Sequence, residues 1–92
     1  MGTLDTEEVR AALGDLPGWE AGEGEIRKRF ELADFRAAVA FVVRIAFEAE
    51  AADHHPDLDI RYRRVTVVLS THSEGGVTAK DLALARAIEA LA

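Results

Sequence analysis

The chain contains no cysteine. That excludes a disulfide framework, a thiolate zinc site and a cysteine nucleophile together, and it fits a reducing compartment. Positive charge is also scarce. Eleven Lys and Arg stand against 17 Asp and Glu, for a net charge of −6. Basic residues cluster only at Arg27-Lys28-Arg29 and between Arg61 and Arg64. A nucleic-acid partner normally demands a basic face, so none is expected. No apolar run approaches the roughly 20 residues that span a bilayer, so no membrane segment is expected. The opening MGTLDTEEVR lacks a basic start followed by an apolar stretch, so no secretory leader is expected and a cytoplasmic location is. The nucleophile elbow Gly-x-Ser-x-Gly, the P-loop and the dinucleotide fingerprint are all missing.

What is present describes one small folded domain over residues 1–92, with 49% apolar and 30% charged residues. Asp5 and Glu8 form a capping box, flanked by Leu4 and Val9 at the spacing of a hydrophobic staple. They predict a helix over about 6–13, with Gly14 as its left-handed stop. Trp19 to Leu32 reads as a hairpin with Ala21-Gly22-Glu23-Gly24 as its loop. Ile26, Lys28, Phe30 and Leu32 then share one face of a strand. Phe35, Val39, Val42, Ala46 and Ala49 recur at helical spacing, and Ala38, Phe41, Ile45 and Phe47 widen the stripe. They predict a long helix from Asp34 to about Asp53, which Pro56 should end at or before His54. Leu58, Ile60 and Tyr62 alternate with charged residues as a third strand, and Val65, Val67 and Leu69 mark a fourth. Thr78 is expected to cap a last helix carrying Leu84, Ile88 and Leu91. The expected fold class is α+β, a four-stranded antiparallel sheet with three helices packed on one face, in the order α-β-β-α-β-β-α. So short a chain buries only about 60% of its unfolded surface. The breadth of the Asp34–Asp53 stripe is therefore expected to serve association with another subunit.

Three histidines carry the candidate chemistry. His54 and His55 precede Pro56 where the long helix stops, and His72 follows the fourth strand. Both are element ends, where sites form on a rigid scaffold. Glu50 lies four residues before His54 and shares its helix face if that turn is intact. Imidazole both gives and takes protons near neutral pH. Each residue also has a plainer reading. His54-His55-Pro56 can be an exposed helix exit, Asp81 a helix cap, Trp19 a core aromatic, Tyr62 a strand residue and Glu50 a solvated carboxylate. Three histidines can also hold zinc, but the usual His-x-His and His-x-x-x-His pairs are missing and adjacent histidines in an extended segment point apart.

The seven residues Glu50, His54, His55, Pro56, Tyr62, His72 and Asp81, with their intervals, resemble the signature of the pterin-4a-carbinolamine dehydratase family. Leu16-Pro17-Gly18-Trp19, Arg64 to Val67, Ser70-Thr71-His72 and Val77-Thr78 resemble further family segments. The resemblance covers nearly the whole chain. It implies dehydration of a 4a-hydroxytetrahydropterin to the quinonoid dihydropterin, a step that recycles the cofactor of aromatic amino-acid hydroxylases, with no metal or organic cofactor. It implies His54, His55, His72 and Glu50 as catalytic residues. Substrate contacts are expected from His54, His55, Pro56, Thr71, His72 and Ser73, with Trp19 and Asp81 added at the margin. A homo-dimer or homo-tetramer is expected. The competing expectation is a non-catalytic interaction protein on the same fold, an assembly factor or a transcriptional cofactor.

Overall fold

A computed structural model describes residues 2–92. The first helix, α1 (Thr6–Ala12), starts on the expected capping box, with Asp5 Oδ1 accepting the Glu8 amide at 2.8 Å and Glu8 Oε1 accepting the Asp5 amide at 2.9 Å. It runs into a 3-10 turn over Leu13–Asp15. Gly14 therefore lies inside that turn and not at a left-handed stop. The positive φ falls later, at Gly18 (87°), where the chain turns into the sheet.

Strand β1 (Glu20–Gly22) pairs with β2 (Glu25–Glu31), with Ala21 opposite Ile26 and Gly22 opposite Glu25. The hairpin loop is thus only Glu23-Gly24, two residues shorter than expected. Ladder hydrogen bonds hold Ala21 and Gly22 in the strand, and Gly24 alone supplies the positive φ of 72°. Trp19 stays outside the strand.

Helix α2 (Phe35–Ala52) is capped by the Asp34 side chain on the Ala37 amide at 2.8 Å. It ends at Asp53, whose φ and ψ of 51° and 43° are left-handed. His54 N–H bonds Ala49 O at 3.1 Å and Asp53 N–H bonds Glu50 O at 3.2 Å. This nested pair is a Schellman stop, and Pro56 beyond it keeps the helix from resuming. Strand β3 (Asp57–Arg61) turns through Tyr62-Arg63 into β4 (Arg64–Leu69). Tyr62 is a turn residue with φ of 55°, so its expected place in the third strand is corrected. Helix α3 (Ala79–Leu91) begins on a capping box of Thr78 and Asp81.

The sheet is antiparallel throughout, in the order β1-β2-β4-β3. Ile26 and Phe30 of β2 and Val65, Val67 and Leu69 of β4 face inward. They meet Ala38, Phe41 and Ile45 of α2, Leu84, Ala85 and Ile88 of α3, and Val9 of α1 in one core. Burying each large side chain contributes roughly 1.5–3 kcal/mol. Arg27 and Arg29 of β2 and Asp59 and Arg61 of β3 occupy the outer, exposed face, with β4 between them. The helices therefore pack on one face, as expected. No described helix is long and apolar enough to cross a membrane.

Candidate functional site

The Schellman stop decides where the histidines go. Because α2 ends at Ala52, His54 leaves the helix axis and swings toward the start of α3. Its Nε2 lies 2.5 Å from Asp81 Oδ1. The His54 side chain is 11% exposed and that of Asp81 is 0% exposed. His55 turns the other way, as adjacent residues in an extended segment do. Its Nε2 lies 2.6 Å from Glu50 Oε2 in an exposed pair. The expected sharing of a face by Glu50 and His54 is thus corrected: the helix ends before His54, and Glu50 serves His55.

His72 lies in the turn beyond β4, three residues past Leu69, and is exposed. The turn is tied at its neck by Thr71. Thr71 N–H bonds Gly76 O at 2.8 Å, and Thr71 O accepts Glu74 N–H and Gly75 N–H, each at 2.9 Å. Gly75, with φ of 78°, closes the loop.

These two segments face each other across a cleft of about 270 Å³, lined by Asp53, His54, His55, Ser70, Thr71, His72, Ser73 and Lys80. Its size lies near the lower end for ligand pockets, which start at roughly 300 Å³. A larger groove of about 440 Å³ crosses the outer sheet face beside Arg27 and Arg29, but no histidine lines it. His54, His55 and His72 all line the smaller cleft. Asp53, Ser70 and Lys80 also line it, although none was expected among the site residues. The folding of the α2 stop and the α3 start against the loop brings them there.

Asp81 carries the densest polar network. Its Oδ2 accepts the Thr71 hydroxyl at 2.8 Å and the Thr78 amide at 2.9 Å, opposite the His54 contact on Oδ1. Asp81 therefore caps the helix and holds an imidazole at once. It lies behind His54 and does not line the cleft, which corrects its expected substrate contact. Pro56 is half-buried beside the cleft and is not among its lining residues. Trp19 is corrected more sharply. It is 6% exposed, packs edge-on to Phe30 at 6.1 Å, and donates Nε1–H to Glu89 at 2.9 Å. Glu89 also pairs with Lys28. This group sits about 12 Å further along α3 from Asp81, so Trp19 is a core aromatic and no wall of this cleft. Among the described residues, no three His, Asp or Glu side chains converge as a metal-ligating group.

A small α+β scaffold with histidines from two element ends around one polar cleft is what the geometry defines. The family model for pterin 4 alpha carbinolamine dehydratase matches residues 2–91, and the chain belongs to that family. Curated relatives provisionally named pterin-4-alpha-carbinolamine dehydratase include one from Roseiflexus castenholzii, 56% identical over 94% of this chain and 92% of that protein. Another, from Chloroflexus aurantiacus, is 52% identical over 97% of this chain and 96% of that protein. A solved structure described as a transcriptional coactivator/pterin dehydratase from Brucella melitensis superposes with a TM-score of 0.93. It is 41% identical and covers 99% of both chains. A pterin dehydratase-like protein described as a RuBisCO assembly factor in the alpha-carboxysome shares the fold, with a TM-score of 0.66 at 20% identity over 79% of this chain and 84% of that one.

Proposed function

We propose that this chain dehydrates a 4a-hydroxytetrahydropterin to the quinonoid dihydropterin and water, and so recycles the cofactor of aromatic amino-acid hydroxylases in the cytoplasm. The observation that carries the reading is the meeting of His54, His55 and His72 at one cleft, in a chain of this family. The carbon–oxygen bond at the 4a position breaks as an acid protonates the hydroxyl, which leaves as water. A base takes a proton from a ring N–H, and that electron pair forms the new carbon–nitrogen double bond. Imidazole fills either role near neutral pH. His54 and His72 approach from different elements and carry the two transfers. His55, held by Glu50, binds the ring edge and assists. Thr71 and Ser73 complete the opposite wall, and Pro56 stiffens the backbone beside His55. A flat, neutral ring is oriented by such edge groups, which lets a chain of net charge −6 bind it.

The test is stopped-flow dehydration of chemically generated 4a-hydroxytetrahydropterin by the parent and by His54→Ala, His55→Ala and His72→Ala. Loss of one positioned acid or base lowers the rate by roughly 10²–10⁴-fold. Parent-like rates in all three variants would remove the site.

A second reading rests on a different observation. Phe35, Val39, Val43 and Phe47 leave an exposed apolar stripe along α2, with Phe47 72% exposed. We assign this stripe first to a homo-dimer or homo-tetramer. In the alternative it holds another protein, and the chain acts as an assembly factor or transcriptional cofactor. Parent protein that is folded yet gives no turnover would leave the alternative standing.

A further inference from the structure

His54 can act as acid or base only through the nitrogen that its buried contact leaves free, and that contact is made by Nε2. The buried groups behind that ring fix its proton by donor counting. Asp81 is fully buried, Thr71 is 4% exposed and Thr78 is 9% exposed. Thr71 Oγ1 lies 2.8 Å from Asp81 Oδ2 and 2.7 Å from Thr78 Oγ1. A hydroxyl has one proton to give. A carboxylate only accepts, so the Thr71 proton points at Asp81. The Thr71–Thr78 contact must then be filled by the Thr78 proton. Thr78 Oγ1 in turn accepts the Lys80 amide at 3.2 Å. The order is therefore one-way, from Thr78 hydroxyl to Thr71 hydroxyl to Asp81. The Thr78 amide adds a second donor on Oδ2. No described buried side-chain oxygen or nitrogen is left over.

An acceptor-only Asp81 requires a donor on its other oxygen, and the group there is His54 Nε2. We infer that the Thr78–Thr71–Asp81 chain is a positioning device that fixes neutral His54 as the Nε2–H tautomer and makes Nδ1 the nitrogen that exchanges protons at the cleft. Thr71 has a second duty in the same device. Its backbone ties the neck of the loop bearing His72 and Ser73, while its hydroxyl holds the carboxylate behind His54. One residue thereby sets both histidine-bearing walls in register. The tautomer assignment stands on hydrogen bonds alone, whereas its catalytic consequence rests on the dehydratase reading above.

Long-range ¹H–¹⁵N correlation spectra of the imidazoles, recorded at a pH where His54 is neutral, read the tautomer directly. The parent is expected to show His54 protonated on Nε2 alone. Thr71→Val removes the hydroxyl at constant shape, and Thr78→Val removes the donor before it. Both are expected to give a mixture of tautomers and to lower kcat for dehydration about tenfold, the scale of one hydrogen bond to a charged group, and Thr78→Val, which is outside the cleft lining, is expected to keep KM within about twofold. Thr78→Val also loses the helix cap, so Thr78→Ser is run beside it and is expected to restore the tautomer and kcat together. A parent spectrum with His54 protonated on Nδ1, or Thr71→Val with unchanged tautomer and kcat, overturns the inference. A parent with the expected tautomer and no dehydration would overturn the dehydratase reading and leave the proton order intact.

Discussion

Two histidine–carboxylate pairs of nearly equal length, 2.5 and 2.6 Å, start from adjacent histidines, and their surroundings make them unequal. Asp81 is buried and His54 nearly so, whereas the side chains of His55 and Glu50 are 56% and 77% exposed. Removing the Asp81 carboxylate strands the Thr71 hydroxyl, the Thr78 amide and His54 Nε2 without an acceptor. Asp81→Ala should therefore cost about 3 kcal/mol of stability. Glu50→Gln should change stability by no more than about 0.5 kcal/mol, since exposed pairs contribute little. Urea unfolding of the two variants checks the contrast, and equal losses would contradict it. The histidine identities were legible in the chain, because His54-His55-Pro56 and His72 fall at element ends. Their carboxylate partners were not. A shared helix face for Glu50 and His54 required an intact last turn, and the left-handed Asp53 breaks it.

Among the elements, capping signals were the most readable. Asp5 and Thr78 each cap the helix their position announced, because a cap needs only a side chain and an amide two or three residues on; Asp34, expected as the first residue of the long helix, is its cap. The errors fall at element boundaries. Gly14 joins a 3-10 turn, Ala21 and Gly22 enter a ladder, and Tyr62 takes a turn conformation. Asp53 is the element boundary with the largest consequence, since its αL geometry aims His54 at α3. Glycine adopts that geometry freely and a β-branched residue does not. Asp53→Gly should match or slightly exceed parent stability, while Asp53→Val should lose about 1–2 kcal/mol. Thermal unfolding of both distinguishes them, and a Val variant as stable as the Gly variant would show that the stop does not depend on this φ.

For the molecule as a whole, the open question on the surface is the outer stripe of α2. Ala38, Phe41, Ile45 and Ala49 fill the core, yet Phe35, Val39, Val43 and Phe47 on the same helix stay exposed. Self-association that buries the stripe predicts a parent larger than its 10.0 kDa monomer mass in light scattering after gel filtration. Replacing both Val43 and Phe47 with Glu should shift it to a smaller folded species. A parent that runs as a monomer at micromolar concentration would end that assignment. The breadth of the stripe, the period-two strands, the helix starts and the acidic balance were determined by the sequence alone, because hydrophobic period and capping act over a few neighbouring residues. The meeting of His54 with Asp81, the removal of Trp19 to the far end of α3, and the joining of His72 to the other histidines were decided only by the tertiary structure. Those contacts link residues that are remote along the chain, and what sets them is the closing of α2 and α3 over one sheet face.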